Sequence, residues 1–282
     1  MTDLIQPICV TCGTQYPDAI TPPACCPICE DERQYVPATG QAWTTAEDLR
    51  QDHHIVRTQM SPGLHALTIE PGFAIGERGF LIKTPSGNVL WDCLAMVDDA
   101  TVDWINDNGG LSAIAISHPH YYTAMGAWSD AFGPDAFDNI PIYLHADDAN
   151  WVQKPHPAIH HWSGERQVIN PDLTLIRSGG HFEGGTVLHW KQGKGMLFTG
   201  DIMQVVADLK HVSFMRSYPN YIPLPAKAVR QIGKSVEAFE FETIHGAFPG
   251  RTVAHDGKKA VERSVSRYLC AIGAPEIEAE TK

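Results

Sequence analysis

Short apolar runs broken by glycine and proline fill the chain beyond residue 63. Leu64 to Glu70, Phe80 to Lys83 and Val89 to Asp92 read as strands bounded by turn residues. Further apolar runs follow at Ser112 to Ile116, Leu173 to Arg177, Gly195 to Thr199 and Phe241 to Ile244. Three stretches change period. Asp98 to Asn108 reads as a helix, with Val102 and Ile105 three apart and Gly109-Gly110 ending it. Ala226 to Glu240 repeats Val229, Ile232, Val236 and Phe239 at helical spacing behind Pro225. Gly257 to Leu269 puts Val261, Val265 and Tyr268 on one face. Strands followed by a helix, twice over, predict an α/β fold with a two-sheet core flanked by helices. Periodicity alone does not separate this from other α/β folds.

Residues just past the strands carry the chemistry. Ser112 to Ile116 leads into His118 and His120, Leu173 to Arg177 and a Gly-Gly turn lead to His181, Gly195 to Thr199 leads to Asp201, and Phe241 to Ile244 leads to His245. Two histidines one residue apart can face a common ion from a tight turn. With an imidazole or carboxylate at three more strand ends, the set predicts one metal site suited to zinc, iron or manganese. The competing expectation is a scatter of unrelated structural histidines, since the chain has 14.

This order resembles the metallo-β-lactamase fold superfamily over roughly Leu64 to Leu269. Asp92, in Val89-Leu-Trp-Asp92, matches the family's early strand-end Asp, and residues 118–123 match its His-x-His-x-Asp-His signature in part. His181, Asp201 and His245 match its later single ligands. The resemblance implies an αββα sandwich with the metal site at one edge of the two sheets. It also implies that Asp92 braces the site without binding metal.

Tyr122 and Thr123 stand where the family has Asp and His. His118, His120 and His181 then remain for a first ion, and only Asp201 and His245 for a second. Two protein ligands seldom hold a divalent ion tightly. The expectation is one catalytic metal, zinc or alternatively iron, on His118, His120 and His181 with Asp201 nearby and a position open to water. Such an ion brings the pKa of bound water from about 15.7 to about 7. Asp201 or His245 would then move protons. Tyr122 could donate to an oxyanion but is a poor base at neutral pH. The function this implies is a metal-dependent hydrolase using metal-bound hydroxide on a small-molecule ester, thioester, lactone or amide. Two other classes stand beside it: a mononuclear iron oxidoreductase of the same fold, and a non-catalytic metalloprotein with a degenerate site.

The N-terminus carries a second signal. Cys9-Val-Thr-Cys12-Gly13 and Cys26-Pro-Ile-Cys29 are two CxxC pairs, a spacing that presents four thiolates to one ion. Residues 1–40 look like a zinc ribbon and resemble rubredoxin at Cys12-Gly13 and Cys26-Pro27, which keeps iron as an alternative to zinc. About 35 residues cannot build a sufficient core alone, so the ion would supply folding energy. Cys25 reads as a bystander, and Cys93 and Cys270 as buried thiols.

Residues 41–62 are expected as a linker, with Thr44-Thr45-Ala46-Glu47 opening a short helix through Leu49, and 63–282 as the metallo-β-lactamase-like domain. Residues 202–225 show little regular pattern. With Met203, Phe214, Met215, Arg216, Tyr218 and Tyr221 they are a candidate pocket wall. Lys154 to Trp162, with His156, His160 and His161, is expected at the rim rather than as ligands. Net charge is −12, from 33 acidic and 21 basic residues, which argues against nucleic acid or an anionic membrane as partner. No run approaches the roughly 18–20 apolar residues of a membrane span, and the start does not read as a signal peptide. Reduced thiolates fit a reducing cytoplasm. Glu276 to Lys282 reads as a solvated tail, and the sequence does not fix the oligomeric state or the substrate.

Overall fold

A computed structural model describes residues 4–133 and 139–274; the tail expected at 276–282 lies outside them. Two units separate by their internal contacts, Met1–Ser163 and Gly164–Lys282.

The first unit opens with the cysteine head, where β1 (Ile8–Cys9) is followed by the one-turn helix α1 (Pro27–Glu30) and pairs with β2 (Trp43–Thr44). Next come α2 (Ala46–Asp52), β3 (His54–Ser61), β4 (Leu64–Glu70), β5 (Gly79–Thr84), β6 (Gly87–Trp91) and α3 (Asp99–Asp107). β7 (Ala113–Ala115), α4 (Met125–Asp130), β8 (Ile142–His145) and β9 (Ile159–Trp162) complete it. β3 to β9 form one seven-stranded sheet in chain order, antiparallel as far as β6 and parallel from there. Most of β5 to β7 is buried, which is why these strands read as apolar runs rather than alternating ones.

The segment expected as a linker holds β2, α2 and β3. Thr45 caps α2 by accepting the Asp48 N–H, as the sequence suggested. β3 was not foreseen because it is an edge strand that buries only Ile55. Without a buried face it shows no hydrophobic alternation. Asp98 ties it in: one carboxylate oxygen caps α3 at Thr101 N (2.7 Å) and the other accepts from Ile55 N (2.8 Å).

In the second unit β10 (Arg166–Asn170), β11 (Leu173–Arg177), β12 (Thr186–Trp190) and β13 (Met196–Gly200) form an antiparallel run. Two small hairpins follow, β14 (Gln204–Val205) with β15 (Val212–Ser213) and β16 (Met215–Ser217) with β17 (Ile222–Pro223). After α5 (Ala226–Val236), β18 (Thr243–Gly246) joins parallel to β13; β19 (Thr252–Val253) closes the sheet before α6 (Gly257–Ala271). α5 contributes Val229, Ile232 and Val236 to the core, and α6 contributes Ala260, Val261, Val265 and Leu269. Each buried Val, Ile or Leu is worth about 1.5–3 kcal/mol over leaving it exposed.

Three expectations change here. α5 ends at Val236 rather than at Glu240, because residues 237–241 carry the chain against Gly195, where a Cβ would collide with the Glu240 carbonyl. The 202–225 segment is not a patternless wall: it carries the two hairpins, and Met203 and Phe214 are fully buried in the core. Cys270 is exposed, since it falls on the outer face of α6, whereas Cys93 is buried as expected. No helix among the described residues is long and apolar enough to cross a membrane.

Candidate metal centres

Parallel pairing delivers the histidine turn. Trp91 on β6 is in register with Ala115 on β7, so Asp92 and the turn that starts at Ser117 leave neighbouring strands at the same end. Asp92, buried and at φ +61°, donates its N–H to Ala115 O (2.9 Å) and accepts the Ser117 N–H on Oδ1 (2.7 Å). Pro119–Tyr121 then form a single 3₁₀ turn closed by Tyr121 N to His118 O. Asp92 therefore holds the backbone beside His118.

The second unit repeats the device. β13 and β18 are parallel, with Phe198 opposite His245, so Asp201 and His245 leave adjacent strands at one end. His181 sits in the β11–β12 loop, fully buried. Its Nδ1 lies 3.2 Å from the Met215 carbonyl. A carbonyl oxygen only accepts, so Nδ1 carries the proton and the neutral ring keeps its lone pair on Nε2, the state a metal ligand needs. Ser117 Oγ stands 2.8 Å from His118 Nδ1 and, as a hydroxyl, can donate to that nitrogen or accept from it.

His118 and His120 are buried in the first unit and His181 and Asp201 in the second, a donor set of three imidazoles and one carboxylate. Three neutral imidazoles and one carboxylate suit zinc, and also iron or manganese. The donor set fits the ion.

His245 is not one of these four. It stacks on Phe198 at 5.0 Å and its Nδ1 lies 3.2 Å from Thr252 Oγ1. Tyr122 is buried, and burial, with the charge of Asp148 behind it, pushes its phenol well above the usual range. Thr123 donates its hydroxyl to Cys93 O at 3.0 Å. His160 and His161 lie exposed on β9, and His156 Nε2 lies 3.1 Å from Asp130.

Four residues near the candidate ligands were not singled out for these roles by sequence: Ser117, Met215 through its carbonyl, Thr252, and Tyr218. The Tyr218 hydroxyl lies within 3.2 Å of Asp201 O and 3.1 Å of Ser213 O. Ser117 and Thr252 each place a hydroxyl near a ring nitrogen, which spacing does not reveal.

The head forms the other cluster. Cys9, Cys12, Cys26 and Cys29 are buried together, with Cys9–Cys29 and Cys12–Cys26 sulfur separations of 3.6 Å. Zinc–sulfur bonds of about 2.3 Å imply roughly 3.8 Å between sulfurs in a tetrahedron, so this cluster fits a metal as it stands. Tyr16 Oη donates to Cys26 Sγ and Gln41 Nε2 to Cys9 Sγ, each at 3.1 Å. Hydrogen bonds among the four thiols, led by that from Cys12, pull Cys9 far below the ordinary thiol range, and Cys12 is pushed far above it, chiefly by its contact with Cys26. A cation is what allows all four to be thiolates together. Cys25 takes no part.

No protein-family model matches the chain. It is 46% identical over 272 residues to the uncharacterized protein YmaE of Bacillus subtilis (strain 168), covering 95% of this chain and 97% of YmaE. Among solved structures it is similar to VMB-1 (TM-score 0.58, 14% identity, 78% of this chain and 98% of that one). It is also similar to a metallo-β-lactamase from Pontibacter korlensis (0.55, 16%, 77% and 99%), and to FIM-1 of Pseudomonas aeruginosa in its mono-zinc form (0.55, 17%, 77% and 96%). The fold is therefore the αββα sandwich of the metallo-β-lactamases.

Proposed function

The chain belongs to the same family as YmaE of Bacillus subtilis, and we propose that it is a metal-dependent hydrolase. It would act on a small-molecule ester, thioester, lactone or amide through a single ion held by His118, His120, His181 and Asp201. The observations that carry the reading are the burial of these four donors and the orientation of His181 by a backbone carbonyl. A bound divalent ion would supply Lewis acidity, acidifying water and polarising a carbonyl. The protein's own groups do the rest. Met215 O holds His181 in the ligating tautomer, Ser117 Oγ can accept from His118 Nδ1 when Nε2 binds an ion, and Tyr218 fixes the backbone of Asp201. Asp201 accepts a proton or orients water. His245, outside the four-ligand group, moves a proton to the leaving group. Tyr122 stays protonated in its buried position and is no base.

Oriented imidazoles favour a working site over a degenerate one, since ligand tautomers need no fixing where nothing binds. We assign zinc to both sites, and the cytoplasm as the location in which four reduced head thiols persist. Elemental analysis of the wild type and of His118→Ala with His120→Ala tests the reading. Two zinc ions per chain falling to one are expected. Iron in the lost fraction would favour an oxidoreductase, and one ion in both proteins would overturn the proposal.

A further inference from the structure

Head and histidine turn meet within the first unit. Gln15 N–H donates to Thr123 O at 3.2 Å, and Thr123 Oγ1 donates to Cys93 O. Gly13, at φ +78°, leaves no room between them: a Cβ there would stand 2.7 Å from Ala95 Cβ and 3.4 Å from Thr123 Cγ2. Cys12 and His120 line the same cavity of about 20 Å³, together with Cys93, Tyr121 and Thr123. That is room for about one water. The neighbouring Thr14 Oγ1 lies 3.2 Å from Cys12 Sγ, so the segment in contact with the turn is also part of the cysteine site.

The turn is thus held at both ends. Asp92 accepts from Ser117 at its start, and Gln15 and Cys93 hold Thr123 at its finish, with His120 between. A head this small keeps its shape through its ion. The position of residues 13–15 therefore depends on the four cysteines.

We propose that the head is a metal-dependent clamp on the histidine turn. With the cysteine site loaded, Gly13 to Gln15 hold Thr123 and so position His120. Ion binding by His118, His120, His181 and Asp201 then requires the head ion. Thr123 and Gly13 are positioning residues in this scheme. The inference rests on the reading that those four residues bind metal.

The test is Co²⁺ titration of full-length protein whose head holds zinc and whose histidine site has been emptied with a mild chelator, followed by visible absorption. Wild type should take up one Co²⁺. Cys29→Ser removes a head ligand while leaving the turn untouched; it should lose the head zinc and bind Co²⁺ at least tenfold more weakly. Folded Cys29→Ser protein without head zinc but with wild-type Co²⁺ affinity would overturn the proposal. Should that variant not fold by circular dichroism, Gly13→Ala decides. It keeps all four cysteines and the head zinc, is expected to weaken Co²⁺ tenfold, and should recover part of the loss when Ala95→Gly relieves the collision. Unchanged affinity in Gly13→Ala would overturn the clamp. A wild type that takes up no Co²⁺ would overturn the metal-site reading itself, and the clamp with it.

Discussion

Replacing Ser117 by alanine removes one hydroxyl and leaves every proposed ligand in place. Ser117 Oγ lies 2.8 Å from His118 Nδ1, with both residues 1% exposed. The Ser117 N–H still donates to Asp92 Oδ1 at 2.7 Å in the variant, because that bond uses the backbone. When His118 binds an ion through Nε2, its Nδ1 carries the proton and donates to the hydroxyl. Taking the acceptor from a buried N–H costs about 1–3 kcal/mol. Groups that orient metal-bound histidines typically change affinity by about 10–100-fold, or roughly 1.4–2.7 kcal/mol. The two ranges overlap near 2 kcal/mol, so Ser117→Ala should weaken the histidine-site ion about 30-fold. The apo protein should lose only about 0.5–1.5 kcal/mol, since without an ion the ring can change tautomer. Competition against a chromogenic chelator measures the affinity, and elemental analysis confirms that the head ion stays. An affinity within about twofold of wild type would refute the argument, because His118 would then not be binding through Nε2.

Three further outcomes follow from separate parts of the structure. Tyr16→Phe deletes the donor to Cys26 Sγ at 3.1 Å but keeps the edge-to-face contact with Trp43; with a thiolate acceptor the loss should be about 1.5–3 kcal/mol of head-ion affinity, and an unchanged chelator midpoint would count against it. Gly195→Ala places a Cβ against Glu240 O at φ +84°; a denaturant melt should show a loss of about 3 kcal/mol or more, and a loss under about 1 kcal/mol would contradict the packing. His189 is held below the usual imidazole range chiefly by burial. The unfolded chain therefore binds the proton first as pH falls below about 6.5. Stability is full above that pH and declines toward the folded-state value, by at most about 1.4 kcal/mol per pH unit. His189→Gln should flatten the decline between pH 7 and pH 5 in urea melts, and parallel curves for the two proteins would reject the assignment.

What the sequence discloses and what it hides have physical causes. β6, β7 and β13 are buried along almost their whole length, so they stand out as apolar runs and the candidate ligands behind them are easy to find. CxxC spacing is equally plain, since one turn must present two thiolates. β3 is hidden because an edge strand can be polar on both faces, and the hairpins of 204–223 because two- and three-residue strands are too short to alternate. The group that orients His181 is hidden most deeply. It is the backbone carbonyl of Met215, and any residue at 215 would offer the same oxygen.

Tyr122 and Thr123 decide how the missing ligands are understood. Were the site decaying, these positions would be indifferent and their side chains unconstrained. Instead Thr123 gives its hydroxyl to Cys93 O and its carbonyl to Gln15 N–H, while Tyr122 is sealed into the interior beside Asp148. The residues that no longer resemble ligands fasten the turn to the core and to the head. Neither residue belongs to the proposed donor set of three imidazoles and one carboxylate. Restoring the family pattern by Tyr122→Asp with Thr123→His would thus not simply add a second ion. It would bury a carboxylate near Asp148 and remove the Cys93 hydrogen bond, so the variant should lose stability before it gains metal. A double variant that binds a third ion per chain with an undiminished melting temperature would show that the turn had room for a second ion all along.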